Sequence, residues 1–233
     1  MSSKKILHNS SFFSQIIPSH LSSNEVVKKL STIATEERWL KIQKVVASRS
    51  FDVGVLMEDI YDQGNINAVM RSAEAFGFMP FYILDYNKKN KKTANRVSQG
   101  ADKWLDITKF NSLQTSIDTI KNASYKIYGT SLKAAKPIEE VDFSVPHIIV
   151  MGNEHKGLSA EMEEAVDLNF KIPMQGFSQS FNISVAAAIS LSYIFQYRKS
   201  HKVKECLFTK NNFVDLQAQY LWKSVQSAEK YFL

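Results

Sequence analysis
Between Val53 and Pro173 the chain alternates short apolar runs with longer amphipathic ones, and that alternation constrains its fold more than any other feature. The runs "VGVLM" (53–57), "FYIL" (81–84), "YKIYGT" (125–130), "HIIVMG" (147–152) and "NFKIP" (169–173) have the length and the β-branched or aromatic content of strands. Between and after them, Ile66–Phe76, Leu113–Asn122, Ala160–Val166 and Ile183–Arg198 carry helical spacing. Strands that are apolar along their whole length belong in a sheet covered on both sides. The predicted class is therefore α/β, with a mainly parallel sheet and helices on both faces. From Asn24 to Ala47, residues Val26, Val27, Leu30, Ile33, Leu40, Ile42, Val45 and Val46 recur at roughly helical spacing with Lys and Arg between them. Asn212–Tyr231 reads as a further amphipathic helix, and residues 1–23, rich in Ser and without periodicity, as a weakly ordered arm. The expected organisation is an arm and basic helix over 1–50, an α/β domain over 51–200 and a helical extension over 201–233.

Composition narrows the partners. Lys and Arg number 29 against 23 Asp and Glu, a formal net charge of +6, which makes nucleic acid a serious candidate without requiring it. A single cysteine, Cys206, rules out an internal disulfide framework and a cysteine-based zinc site, and it fits a reducing cytoplasm. No apolar run reaches the roughly 18 residues of a membrane span, so no membrane role is expected. His8, Asn9 and the serines interrupt the opening residues, which argues against a signal peptide.

In an open α/β sheet, ligands bind beyond the carboxyl ends of the strands, and three loops predicted there are rich in polar residues. In "MEDIYDQGNINAVMRSAEAFGF", Asn65 and Arg71 lie on roughly one side of a helix. They read either as a helix cap and a solvated charge or as ligand-facing groups. In "VMGNEHKGLSAEM", Gly152 and Gly157 flank Asn153–Lys156 directly after a strand. This is either a strand-to-helix turn capped by Ser159 or a loop whose backbone approaches a ligand. The third, "KIPMQGFSQSFNIS", places Ser178, Gln179, Ser180 and Asn182 before a buried helix, more polar groups than a cap needs. No GxxxxGK[ST], GxGxxG or GxSxG pattern occurs, and no histidine pairs with a second ligand at metal spacing, so no metal site is expected. The inventory of Asn, Ser, Gly, one Arg and one Glu suits a small polar organic ligand.

The segments "DQGNINAVMRSAEAFGF", "VMGNEHKGLSAEM" and "IPMQGFSQSFNISVAAAISLSYIFQYR" resemble, in order, motifs one, two and three of the SPOUT-class RNA 2'-O-ribose methyltransferases, and within that class the TrmH family. The likeness covers roughly residues 35 to 200 and takes in "TEERWLKIQKVVASRSFDVGVLMED", "TANRVSQGADKWLDI" and "YKIYGTSL". It implies an α/β fold with a trefoil knot made by about Gly152 to Ala188, a rare exception to the rule against knots. It also implies S-adenosylmethionine as cofactor and a homodimer with the active site built across its interface. By this resemblance Thr130, Met151, Gly152, Gly157, Ile172, Met174 and Phe181 surround the cofactor. Asn65, Arg71, Glu154, Ser180 and Asn182 occupy catalytic positions. Three positions depart from the family pattern: Phe181 stands where Leu is usual, Gly64 where His is frequent, and Gln196 where a basic residue is usual.

The implied reaction is attack by a ribose 2'-oxygen on a sulfonium methyl, with proximity and alignment supplying much of the rate. Arg71 is expected to bind the target phosphate and stabilise the developing alkoxide, since a guanidinium only donates. Asn65 and Glu154 are expected to orient Arg71, and Asn182 to hold the ribose or cofactor edge. Short helical flanks without a globular RNA-binding module match the tRNA enzymes that methylate guanosine 18, and Lys41, Arg49 and Arg198 match basic positions linked to tRNA in them. The alternatives are ribosomal RNA, another tRNA site, or a non-catalytic RNA-binding homologue. For the three basic residues, ordinary surface charge is the other reading.

Overall fold
A computed structural model describes residues 16–86, 100–134, 136–206 and 210–232. The chain forms two compact units, one of residues 1–50 with 207–233 and one of 51–206. Most of the serine-rich arm, and "TANRVSQ" at 93–99, lie outside the described residues.

In the first unit, α1 (Ser23–Leu30) and α2 (Glu36–Ala47) pack against α7 (Lys210–Ser224). The single periodic segment expected from Asn24 to Ala47 is thus two helices. Ser31 ends the first, and Thr35 caps the second by accepting from the Arg38 amide at 3.2 Å. The break rotates the apolar stripe: Val26, Leu30, Ile42 and Val46 are buried, while Ile33 and Leu40 are exposed. The expected final helix is α7 followed by a 3-10 turn at Ala228–Phe232.

The second unit is a parallel sheet. Its strands are β1 (Val53–Glu58), β2 (Pro80–Leu84), β3 (Asp106–Phe110), β4 (Lys126–Thr130), β5 (Lys136–Pro137), β6 (His147–Met151) and β7 (Leu168–Lys171). They run in the order β3-β2-β1-β6-β4-β7-β5, every pair parallel. The helices are α3 (Gln63–Ala75), α4 (Leu113–Asn122), α5 (Ala160–Ala165) and α6 (Ile183–Ser200). Central β1 and β6 are buried along their whole length, as their unbroken apolar runs require. The two strands that the apolar runs did not reveal, β3 and β5, sit at the sheet's edges. There "DITKF" needs only Ile107 and Phe110 as partly covered apolar positions.

α3 packs against α6, and Ile66, Val69, Met70 and Ala73 join Ile183, Ala187, Leu191 and Ile194 in the main core. The far end of α6 is tied down by charge. Arg198 is 6% exposed; its guanidinium donates to Asp52 at 2.8 Å, to Glu205 at 3.2 Å and to the carbonyls of Phe143 and Ser144. Asp52, fully buried, also accepts from the Cys206 amide at 2.9 Å, so the chain remains bound to this unit as far as Cys206. The reading of Arg198 as a tRNA contact is corrected by this geometry. A guanidinium with its donors engaged in the interior does not reach a phosphate. Arg49 is likewise 4% exposed, its guanidinium 5.7 Å from the Tyr220 ring centre, and its burial corrects the reading of it as a tRNA contact. Lys41 is exposed.

His147 begins β6 fully buried, stacked on Tyr128 at 5.1 Å, with Nδ1 facing the Val145 carbonyl at 2.7 Å. Burial pushes the imidazole down to about 4, against an ordinary value of 6.5. The unfolded chain therefore takes up this proton before the folded one does. The His147 contribution is intact above pH 6.5, falls as pH drops through the window from 6.5 to about 4, and is constant below it. Urea unfolding should register a loss of about 2 kcal/mol from this group between pH 7.5 and pH 5. The variant His147→Phe should remove that part of the pH dependence.

Candidate active site
The carboxyl ends of β4, β6 and β7 open into a cavity of about 630 Å³, within the range of small-molecule sites. All seven residues expected around a cofactor line it: Thr130, Met151, Gly152, Gly157, Ile172, Met174 and Phe181. Each arrives from a strand end or from the loop that follows it. The Thr130 hydroxyl closes β4 onto β6 by donating to the Val150 carbonyl at 2.8 Å. After β6 the chain turns sharply: Asn153 and Gly157 exchange two backbone hydrogen bonds of 2.9 Å, and Gly157 takes φ 74°. That backbone conformation suits glycine. At Gly152 a Cβ would collide with the backbone of Gly157 and Leu158, so the loop can fold over its own start only with no side chain there.

The mouth of the cavity holds a relay of side chains. Glu154 accepts from the amides of Tyr61 at 2.8 Å and Asp62 at 3.1 Å, and from Asn65 Nδ2 at 2.9 Å. Burial pushes its carboxyl up, but the hydrogen bonds from the Tyr61 amide, Asn65 and Asp62 outweigh that and hold it below the ordinary range. The other atom of the Asn65 amide, Oδ1, accepts from Asn182 Nδ2 at 3.4 Å. Asn182 in turn caps α6, accepting through Oδ1 from the amide and hydroxyl of Ser184 at 2.8 and 2.6 Å. One side chain thus caps a helix and joins the site. Helix α3 is capped by Asp62, whose Oδ1 accepts from Gly64 N at 2.8 Å. Asn65 is therefore not the cap, and its amide is free to bridge motif two to motif three.

Glu154, Ser180 and Asn182 line the cavity, and Asn65 bonds to two of its residues. Arg71 is not a lining residue. It is exposed, with no hydrogen bond or ion pair among the described residues. The expected orienting of Arg71 by Asn65 and Glu154 does not occur within one chain, where their hydrogen bonds run to each other, to Asn182 and to the backbone. Ser178, Gln179 and Ser180 are exposed, and Phe181 is 38% exposed at the cavity wall. Asn153 did not stand out in the sequence beyond its loop. It fixes that loop by donating to the Asp59 carbonyl at 2.7 Å and accepting from the amides of His155 and Lys156. Only its place between two glycines marked it.

The cavity fits S-adenosylmethionine in size and chemistry. Met151, Leu158, Phe170, Ile172 and Met174 offer apolar walls. The tight Gly152–Gly157 turn offers backbone groups without intervening side chains, and Glu154 with Asn182 offers polar contacts at the mouth. Among the described residues no group of carboxylates, histidines or cysteines could hold a metal ion, and no helix is long and apolar enough to cross a membrane.

Comparison with known proteins agrees with this site. The tRNA (guanosine(18)-2'-O)-methyltransferase of Borreliella burgdorferi is 37% identical over 183 residues, covering 76% of this chain and 83% of the relative. The crystal structure of the A. aeolicus TrmH/SpoU tRNA modifying enzyme superposes with a TM-score of 0.72 at 27% identity, covering 82% of this chain and 98% of that one. The SpoU methyltransferase AviRb of Streptomyces viridochromogenes, solved with AdoMet, gives 0.59 at 26% identity, covering 65% and 62%. The description "SpoU rRNA Methylase family" matches residues 52–192, from the residue that anchors Arg198 to the middle of α6. The cavity, its glycine turn and its Asn–Glu–Asn relay all fall inside that span, and the chain belongs to the SpoU rRNA methylase family.

Proposed function
We propose that the chain uses S-adenosylmethionine to methylate the ribose 2'-oxygen of guanosine 18 in tRNA, acting as a homodimer in the cytoplasm. The observation that carries this reading is the cavity itself. Seven residues drawn from three separate loops line one pocket, with Glu154, Asn65 and Asn182 hydrogen-bonded in series at its mouth. Similarity to enzymes named for tRNA guanosine 18, over three quarters of the chain, supports the substrate. A trefoil knot over about Gly152–Ala188 belongs to the same reading.

When bound, the cofactor would supply an electrophilic methyl group on a sulfonium, its carbon bonding to the ribose 2'-oxygen as the carbon–sulfur bond breaks, with the thioether leaving and the hydroxyl proton lost to solvent. The chain's own contribution is placement and charge. The backbone of the Gly152–Gly157 turn and the walls Ile172 and Met174 hold the adenosyl part. Glu154, itself held by two amides and Asn65, fixes the amide plane of Asn65, which in turn meets Asn182. The ribose is oriented by this relay and by Ser180. Arg71 stands exposed and off the cavity of its own chain, so in the homodimer it serves the partner copy's cavity, binding the target phosphate and stabilising the alkoxide. Val185 at 45% and Phe181 at 38% exposure, on and beside the apolar helix α6, suit a face covered by that second copy. Lys41 remains the exposed member of the basic residues expected to meet tRNA.

Total RNA incubated with the protein and methyl-labelled cofactor tests the assignment. Label should appear at the ribose of tRNA guanosine 18. Label confined to ribosomal RNA would transfer the assignment there, and a chain that ignores the cofactor in titration would be a binding homologue only.

A further inference from the structure
The segment that ends β1 and the loop that follows β6 are joined by side-chain hydrogen bonds at three points. Asn153 donates to the Asp59 carbonyl, and Glu154 accepts from the amides of Tyr61 and Asp62. The third point lies outside the cavity. Ser159 donates to the Glu58 carboxylate from its backbone N–H at 3.2 Å and from its hydroxyl at 2.6 Å. Glu58 closes β1, is 1% exposed, does not line the cavity and takes no part in the chemistry proposed above.

A carboxylate in the interior is costly unless its oxygens are satisfied, and an apolar residue would fill the end of a buried strand at no such cost. What Glu58 adds is an acceptor. Besides Ser159 it takes a hydrogen bond from the Tyr86 hydroxyl at 3.1 Å. Burial and the neighbouring Glu58 carboxylate push that phenol up to about 12, so it remains a donor at neutral pH.

The benefit falls on the loop. Gly157 and Leu158 both line the cavity, and they lie between two anchors, Asn153 on Asp59 and Ser159 on Glu58. The Ser159 hydroxyl also accepts from the Met162 amide at 3.1 Å, which caps α5. That cap does not use Glu58, so losing Glu58 leaves the helix start satisfied and releases the loop alone. On the reading that the cavity takes S-adenosylmethionine, we propose that Glu58 is a positioning residue for the cofactor: by holding Ser159 it fixes Gly157 and Leu158 where they meet the ligand.

The test is a double-mutant cycle read in cofactor affinity. S-adenosylmethionine is titrated into the wild-type protein, Glu58→Gln, Ser159→Ala and the double variant by calorimetry. Glu58→Gln replaces one acceptor oxygen by a donor at nearly constant volume, so Kd should rise about tenfold. Turnover at saturating cofactor should stay within about twofold of wild type, because the groups at the mouth are untouched. Ser159→Ala should raise Kd similarly, and the double variant should rise by less than the product of the two. Tyr86→Phe, which removes one donor and leaves Ser159 held, should fall between wild type and Glu58→Gln. Unchanged affinity in Glu58→Gln, or independent effects in the cycle, would overturn this assignment alone. A wild-type chain that takes up no S-adenosylmethionine would overturn the cofactor reading and this assignment with it.

Discussion

Replacing Arg198 by alanine is expected to destabilise the sheet unit by about 3–5 kcal/mol, the cost of leaving a buried charge without its partner. The reason lies with the residues left behind. Asp52 has no exposure to water and would lose its guanidinium partner, while the carbonyls of Phe143 and Ser144 would lose a charged donor. The midpoint of thermal unfolding should fall by on the order of 10 °C for a chain of this size. Arg198→Lys should recover part of the loss, since one ammonium can meet Asp52 but cannot also span both carbonyls and Glu205. Binding of tRNA by the folded variant, measured well below its midpoint, should change little. A large loss of tRNA affinity with unaltered stability would return Arg198 to the RNA surface.

Arg71→Ala should give the opposite pattern. The residue is exposed and makes no ion pair or hydrogen bond among the described residues, so folding stability should stay within about 0.5 kcal/mol of wild type. Affinity for S-adenosylmethionine should also hold, because Arg71 does not line the cavity. Turnover should fall by about 10²–10³, the usual cost of removing one donor that stabilises a developing oxyanion. Arg71→Lys should remain well below wild type, and near-wild-type turnover there would remove the case for a planar, two-pronged contact. If the second copy supplies Arg71, mixing Arg71→Ala with Glu154→Ala protomers should restore activity that neither variant has alone. No recovery after verified exchange of protomers would argue that the site is complete within one chain.

Much of the fold is legible in the sequence. Unbroken apolar runs marked β1 and β6, and Leu113–Asn122 was bounded as observed. The edge strands β3 and β5 were missed because a strand covered on one side needs few apolar residues, and β5 spans only Lys136–Pro137. The two short N-terminal helices merged into one for a related reason: Ser31 and Thr35 break the backbone but barely disturb the spacing of apolar residues on either side. At the site, the seven residues expected around a cofactor come from resemblance of their motifs, and all seven line the cavity. Glu58 gave no signal, since one acidic residue at a strand end is also what an ordinary strand-to-loop junction looks like.

The three arginines mark the boundary between what sequence and tertiary structure decide. Sequence alone determined the layers of the fold, the cap at Ser159, and the polar loops beyond the strands. Those features follow from backbone periodicity and from hydrogen bonds between residues a few positions apart. It could not tell Arg71 from Arg49 or Arg198, because whether a guanidinium meets water, a ring or a carboxylate depends on residues far away in the chain. Asp52 reaches Arg198 across 146 positions, and Glu154 reaches Asn65 across 89. Only the folded sheet, by bringing those residues within hydrogen-bonding distance, made one arginine an internal anchor and left another exposed.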